Sequence, residues 1–176
     1  MQLVSPSEEY RLAFERFYDD FARYDASNAS YYKDGKINFE RYLQSLIDES
    51  NGVNLPEGYV PCHHYWLVDS SQEILGVIRI RHNINTPFLS HEAGHIGYDI
   101  APRFRGQGYG KAMLKLALPK ACQLGIATAL ITADEDNIAS RTVIERNGGQ
   151  FDKIVQGKVF QYPIARYWVD CCCSSK

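Results

Sequence analysis

The chain has 176 residues, 45% of them apolar and 23% charged, with a formal net charge of −2. That length suits one domain, residues 1–176, with enough material for a sizeable core. The slight acidity and the absence of a basic stripe argue against nucleic acid or an anionic membrane surface as partner, so any anion site has to be local. No apolar run approaches a membrane span. The polar start MQLVSPSEEYR lacks the basic and apolar regions of a signal peptide, so the expected location is the cytoplasm.

In chain order, residues 8–24 predict a helix capped by Ser7, with Ala13, Phe17, Phe21 and Tyr24 at helical spacing. A polar, tyrosine-bearing loop, DASNASYYKDGK, follows. Residues 38–49 predict a second helix presenting Phe39, Tyr42, Leu43, Leu46 and Ile47 on one face, broken by NGVNLPEGYVP. HYWLVD, SSQ and EILGVIRIRH read as a β-hairpin, with Leu75, Val77, Arg79 and Arg81 alternating against isoleucines and Gly76. After a loop at 83–94, residues 95–101 predict a strand, 108–125 a helix kinked or split at Pro119, and 126–134 a buried strand. Asn137 caps a short helix that Gly148 ends, and residues 158–170 predict a final pair of strands. The order implies a mixed α/β domain, with helices packed on a central sheet.

Five cysteines form no zinc-type spacing, and no metal site is expected. Cys62 and Cys122 read as reduced packing residues, and Cys171, Cys172 and Cys173 as an exposed, chemically incidental tail.

The stretch APRFRGQGYGKAML carries the strongest signal. Glycines between a strand and a helix expose the unpaired N–H groups of the first helical turn, which suits a phosphate or pyrophosphate. Arg103 and Arg105 would add charge at the rim. The Walker pattern fails, because Ala112 follows Gly110-Lys111 and Arg105 stands where its first glycine belongs. The dinucleotide pattern fails too, because its third glycine falls on Lys111 or Met113.

Arg105-Gly106-Gln107-Gly108-Tyr109-Gly110 does fit R/Q-x-x-G-x-G/A, and Asn137, Ser140 and VIERNGG follow at the spacing N-x-x-A/S, short helix, glycine. On these residues the sequence resembles the GNAT acetyltransferase superfamily, most specifically over residues 95–151. The resemblance implies a mostly antiparallel twisted sheet with flanking helices, in which strands 95–101 and 126–134 splay to admit acetyl-CoA. It implies that Arg105, Gly106, Gln107, Gly108, Tyr109, Gly110 and Lys111 cradle the pyrophosphate. The main chain of Tyr98, Asp99 and Ile100 would pair with the pantetheine and polarise the thioester carbonyl. Asn137 and Ser140 would meet the pantetheine arm. A tyrosine that protonates the leaving thiolate in many members would stand at 144, where this chain has Ile144, so either Ser140 or a water would substitute or no acid is needed, a thiolate being a tolerable leaving group. A glutamate base of some members aligns near Gly94, leaving Glu92 and His95 as candidate bases and Asp99 as third choice.

The implied activity is acetyl transfer from acetyl-CoA to a primary amine of a small molecule. A CoA-binding sensor without turnover is the rival reading. The acceptor pocket is expected from loops 25–38, 51–63 and 83–94, with Tyr31, Tyr32, Tyr59, His63 and His64. A homodimer paired through the C-terminal strands stays open.

Overall fold

The computed structural model describes residues 1–172. In chain order they form β1 (Gln2–Val4), α1 (Arg11–Tyr24), the short α2 (Ala26–Ala29) and α3 (Lys33–Ile37), α4 (Phe39–Asn51), β2 (Cys62–Val68), β3 (Ile74–Arg81) and β4 (Ile96–Ile100). Then come α5 (Tyr109–Gln123), β5 (Thr128–Asp134), α6 (Ile138–Glu145), β6 (Gln150–Gln156) and β7 (Pro163–Asp170). The sheet runs β1-β2-β3-β4-β5-β7-β6. Every neighbouring pair is antiparallel except β4 and β5.

Strand alternation sends side chains to two faces. One buries Leu67, Ile78, Ile80 and Ile96 with Met113 and Leu114 of α5. The other buries Trp66, Val68 and Val77 beneath Phe14, Phe17 and Phe21 of α1 and Phe39, Leu43 and Leu46 of α4. Each fully buried phenylalanine stabilises by about 1.5–3 kcal/mol relative to exposure. Phe14 is fully buried and Tyr24 is exposed, which rotates the apolar stripe of α1 away from the one predicted. Ile47 is exposed as well.

Other expectations change. A 3₁₀ turn at Glu8–Tyr10 precedes α1, and the Ser7 hydroxyl donates to Glu9 (2.9 Å) instead of capping. The predicted loop at 25–36 contains α2 and α3. α5 is one helix through Pro119. The stretch 158–170 supplies one strand, β7, whose hairpin partner β6 lies upstream. β7 sits between β5 and β6, so the open edge at this end of the sheet is β6.

The cysteine reading is corrected too. Cys122 and Cys172 form a disulfide that ties the end of α5 to the C-terminal segment. Cys171 is buried, so this segment is not an exposed tail. Cys62 is a buried thiol, as expected. Cys173 lies outside the described residues.

Candidate active site

β4 and β5 share a single register pair, Ile96 with Ile131. The His95 N–H donates to the Leu130 carbonyl (2.7 Å) beside it. On its other edge β4 is fully paired to β3 from Ile96 to Ile100. Arg81 N–H donates to His95 O and Ala101 N–H to Leu75 O, so the odd-numbered positions of β4 face β3. Antiparallel alternation therefore turns the main chain of Tyr98 and Ile100 toward the wedge beside β5. The Ile100 carbonyl, consistent with this, accepts from Arg105 Nε (3.0 Å).

At the end of this wedge α5 begins. Gly108 precedes its first residue with φ 84°, and Gly106 has φ 74°. A Cβ at either would meet nothing within 4 Å, so these glycines leave an open cradle beside the unpaired N–H groups of α5. Gly110 differs. It is buried, and a Cβ there would come within 3.2 Å of Val143, so its bareness serves the packing of α5 on α6. The rim arginines are also not free charges. Arg105 pairs with Asp25 (2.6 Å) over the Phe21 ring, and Arg103 pairs with Glu73 (3.2 Å). Lys111 is exposed at the cradle, Tyr109 packs edge-on against Phe104, and Gln107 donates to the Arg103 carbonyl (3.0 Å).

α6 starts on the other side of the wedge. Asn137 Oδ1 accepts from the Ser140 N–H (3.0 Å), which caps the helix and leaves the Asn137 amide nitrogen for another partner. The Tyr98 hydroxyl meets Ser140 Oγ at 2.9 Å and the Ser140 carbonyl at 3.2 Å. Burial pushes the Tyr98 phenol up, the Ser140 bond opposes, and it stands at about 12. Ile144 is fully buried in the core.

The candidate bases are all engaged. Glu92 is 2% exposed, and its carboxylate accepts the N–H groups of Lys158, Val159 and Phe160 at 2.8–3.1 Å. Burial works against its charge, but those N–H bonds outweigh it and hold the pKa below the usual range. Its geometry is that of an anchor for the loop before β7. His95 Nδ1 accepts from the Leu130 N–H (3.0 Å). Burial and the Arg81 charge lower its pKa, so the ring is neutral with its proton on Nε2 and has no lone pair to spare. Asp99 accepts from the Tyr32 hydroxyl (2.6 Å) and from Arg79 (3.4 Å) on the α1/α4 face.

That same face holds a cavity of about 530 Å³. Tyr31, Tyr32, Tyr59 and His64 line it, as expected, together with Arg79, Arg81 and Phe160. His63 does not: it points to the opposite face, where its Nδ1 meets His82 Nε2 at 2.7 Å. In the wall, His64 Nε2 meets Glu49 at 2.6 Å. Burial lowers the His64 pKa, but bonds and charge from Cys62 and Glu49 prevail and raise it to about 9. Glu49, Cys62 and His64 place their ligand atoms within 4.8 Å of one another. That donor set is of the kind that suits zinc.

The acetyltransferase (GNAT) domain family matches residues 11–150. The chain belongs to the GNAT acetyltransferase family. No curated protein matches the sequence. Among solved structures, a ribosomal-protein-S5-alanine acetyltransferase of Vibrio fischeri superposes with TM-score 0.69 at 15% identity, over 99% of this chain and 94% of the other. RimL, a ribosomal L7/L12 α-N-protein acetyltransferase in complex with coenzyme A, gives 0.68 at 19%, over 97% and 94%. A spermidine N-acetyltransferase chimera from Vibrio cholerae and hSSAT gives 0.65 at 14%, over 97% and 96%. At these identities the likeness concerns the GNAT fold. No helix of the described residues is long and apolar enough to cross a membrane.

Sequence reasoning about this GNAT chain missed Glu49, Arg79, Arg81 and Phe160. One signal was present. Arg79 and Arg81 alternate with Ile78 and Ile80 in a strand flanked on both sides, which marks a polar cavity on one face of an interior strand.

Proposed function

We propose that this GNAT protein moves an acetyl group from acetyl-CoA to a primary amine of a small molecule in the cytoplasm. The observation that carries the reading is the wedge between β4 and β5, with the Gly106–Gly108 cradle at one end and the cavity on the opposite face. The N–H groups opening α5, with Lys111, would hold the pyrophosphate. The main chain of Tyr98 and Ile100 and the Asn137 amide would hold the pantetheine. The Tyr98 N–H, aimed into the wedge, would polarise the thioester carbonyl. The amine nitrogen bonds to the acetyl carbon, the C–S bond breaks, and the sulfur takes the electron pair and then a proton. Tyr98 and Ser140, hydroxyl to hydroxyl at 2.9 Å, would supply that proton. They replace the tyrosine that Ile144 displaces. With Glu92, His95 and Asp99 engaged, water in the cavity takes the proton of the amine.

The engaged bases also favour a second reading, a CoA-binding sensor without turnover. One experiment separates the two. Purified protein is titrated calorimetrically with acetyl-CoA against ATP, then assayed for acetyl transfer over an amine panel. Micromolar binding of acetyl-CoA alone, about −8 kcal/mol, with transfer, is the expected result. Binding without transfer to any amine selects the sensor.

A further inference from the structure

The charged side chains lining the cavity are Asp34, Glu49, His64, Arg79 and Arg81. Arg79 is paired with Asp99 through two contacts of 3.4 Å. His64 Nε2 meets Glu49 at 2.6 Å. Arg81 has no carboxylate partner. Its guanidinium donates only through Nη1, to the carbonyls of Ala93 (3.4 Å) and Gly94 (3.1 Å). Nε and Nη2 make no bond to the protein. Among the described residues no fully enclosed side-chain nitrogen lacks a partner, so these two nitrogens open onto free space, and Arg81 lines the cavity.

The main chain holds Arg81 in place. Its own N–H donates to the His95 carbonyl (2.8 Å) at the closed end of the wedge, while Nη1 grips the two carbonyls just before. The fork is thereby fixed with two parallel-facing donors unspent, the arrangement that takes a carboxylate in bidentate fashion. Tyr31, Tyr59 and Phe160 supply apolar and aromatic wall around it. A volume of about 530 Å³ lies within the range of small-molecule pockets.

We infer that the acceptor is a small amine that also carries a carboxylate, an amino-acid-like zwitterion whose carboxylate is received by Arg81. This rests on the proposed acetyl transfer. A polyamine carries no carboxylate for Arg81 to receive. A peptide N-terminus offers no carboxylate near its amine and leaves Arg81 without a partner.

The test compares kcat/KM of the protein, with saturating acetyl-CoA, on five neutral L-amino acids, on the carboxamide of each, on a neutral pentapeptide amide and on spermidine. Each acid is expected to exceed its own amide by at least about 10-fold. In Arg81→Met that ratio falls to near one through KM, with acetyl-CoA affinity unchanged. Amides equal to acids, a preference for spermidine or for the pentapeptide, or an acid preference that survives in folded Arg81→Met each overturn the inference while leaving acetyl transfer standing. The acid-to-amide ratio of the unaltered protein decides the matter even if Arg81→Met fails to fold. Acetyl-CoA binding without transfer to any compound overturns the proposed function and this inference with it.

Discussion

At the scale of single residues, two protons matter. His64 keeps its proton up to about pH 9, against an ordinary value of 6.5. A histidine whose folded pKa is raised contributes stability that is complete below pH 6.5 and fades as pH rises through 9. Urea unfolding at pH 6 and pH 9.5 should therefore show a loss on the order of 2 kcal/mol in the unaltered protein. His64→Gln should lack that dependence. The second proton is that of Tyr98, kept on the phenol by a pKa of about 12 and placed 2.9 Å from Ser140 Oγ. Tyr98→Phe retains the ring that packs against the core and removes only the hydroxyl. kcat should fall roughly 10–100-fold with little change in acetyl-CoA affinity. An unchanged kcat would assign the proton transfer to water.

At the scale of elements, polar clamps hold the turn and the loop beside the cavity. Glu92 draws residues 158–160 onto the turn at Leu89–Ala93, and buried Arg166 of β7 grips the carbonyls of Ser90 (2.6 Å) and His91 (2.9 Å) in that same turn. A carboxylate that looks catalytic in sequence is here the pin of a loop, because three N–H donors converge on it. The C-terminal segment has a covalent clamp. Cys122 and Cys172 are 50 residues apart, and closing a loop of that length removes about 4 kcal/mol of chain entropy from the unfolded state in the simplest account. Cys172→Ser, or the oxidised protein treated with reductant, should unfold at lower urea concentration, by up to that amount. Equal midpoints would show that the bridge adds nothing to stability.

At the scale of the whole molecule, the wedge lies between β4 and β5, and the cavity is lined from β2, β3 and α4 on the α1/α4 side of the same sheet. Tyr98 points to the α5/α6 side and Asp99 to the α1/α4 side. A ligand in the wedge bridges β4, α5 and α6, so it should stabilise the fold as a unit. With acetyl-CoA at about 100 times its Kd, stability should rise by about 2.7 kcal/mol. That corresponds to a Tm increase of roughly 5–10 °C for a chain of this size, while ATP at the same concentration should leave Tm unchanged. A Tm equally insensitive to both would remove the cradle from the binding account.

Much of this architecture was legible along the chain. The glycine cradle, the cap at Asn137 and the strands β2 to β5 are local features, each written in a few neighbouring residues whose backbone preferences no distant contact overrides. The family followed from their spacing. What the sequence could not reveal was set by long-range contact. Phe14 is in the core because Trp66 and Phe39 meet it there. Arg105 lost its free charge to Asp25, 80 residues away. Glu92 and His95 lost their candidacy to the N–H groups of Val159 and Leu130. Spacing fixes which backbone groups are exposed, but only the folded chain decides which charges find partners and which donors, such as Nε and Nη2 of Arg81, stay open to a ligand.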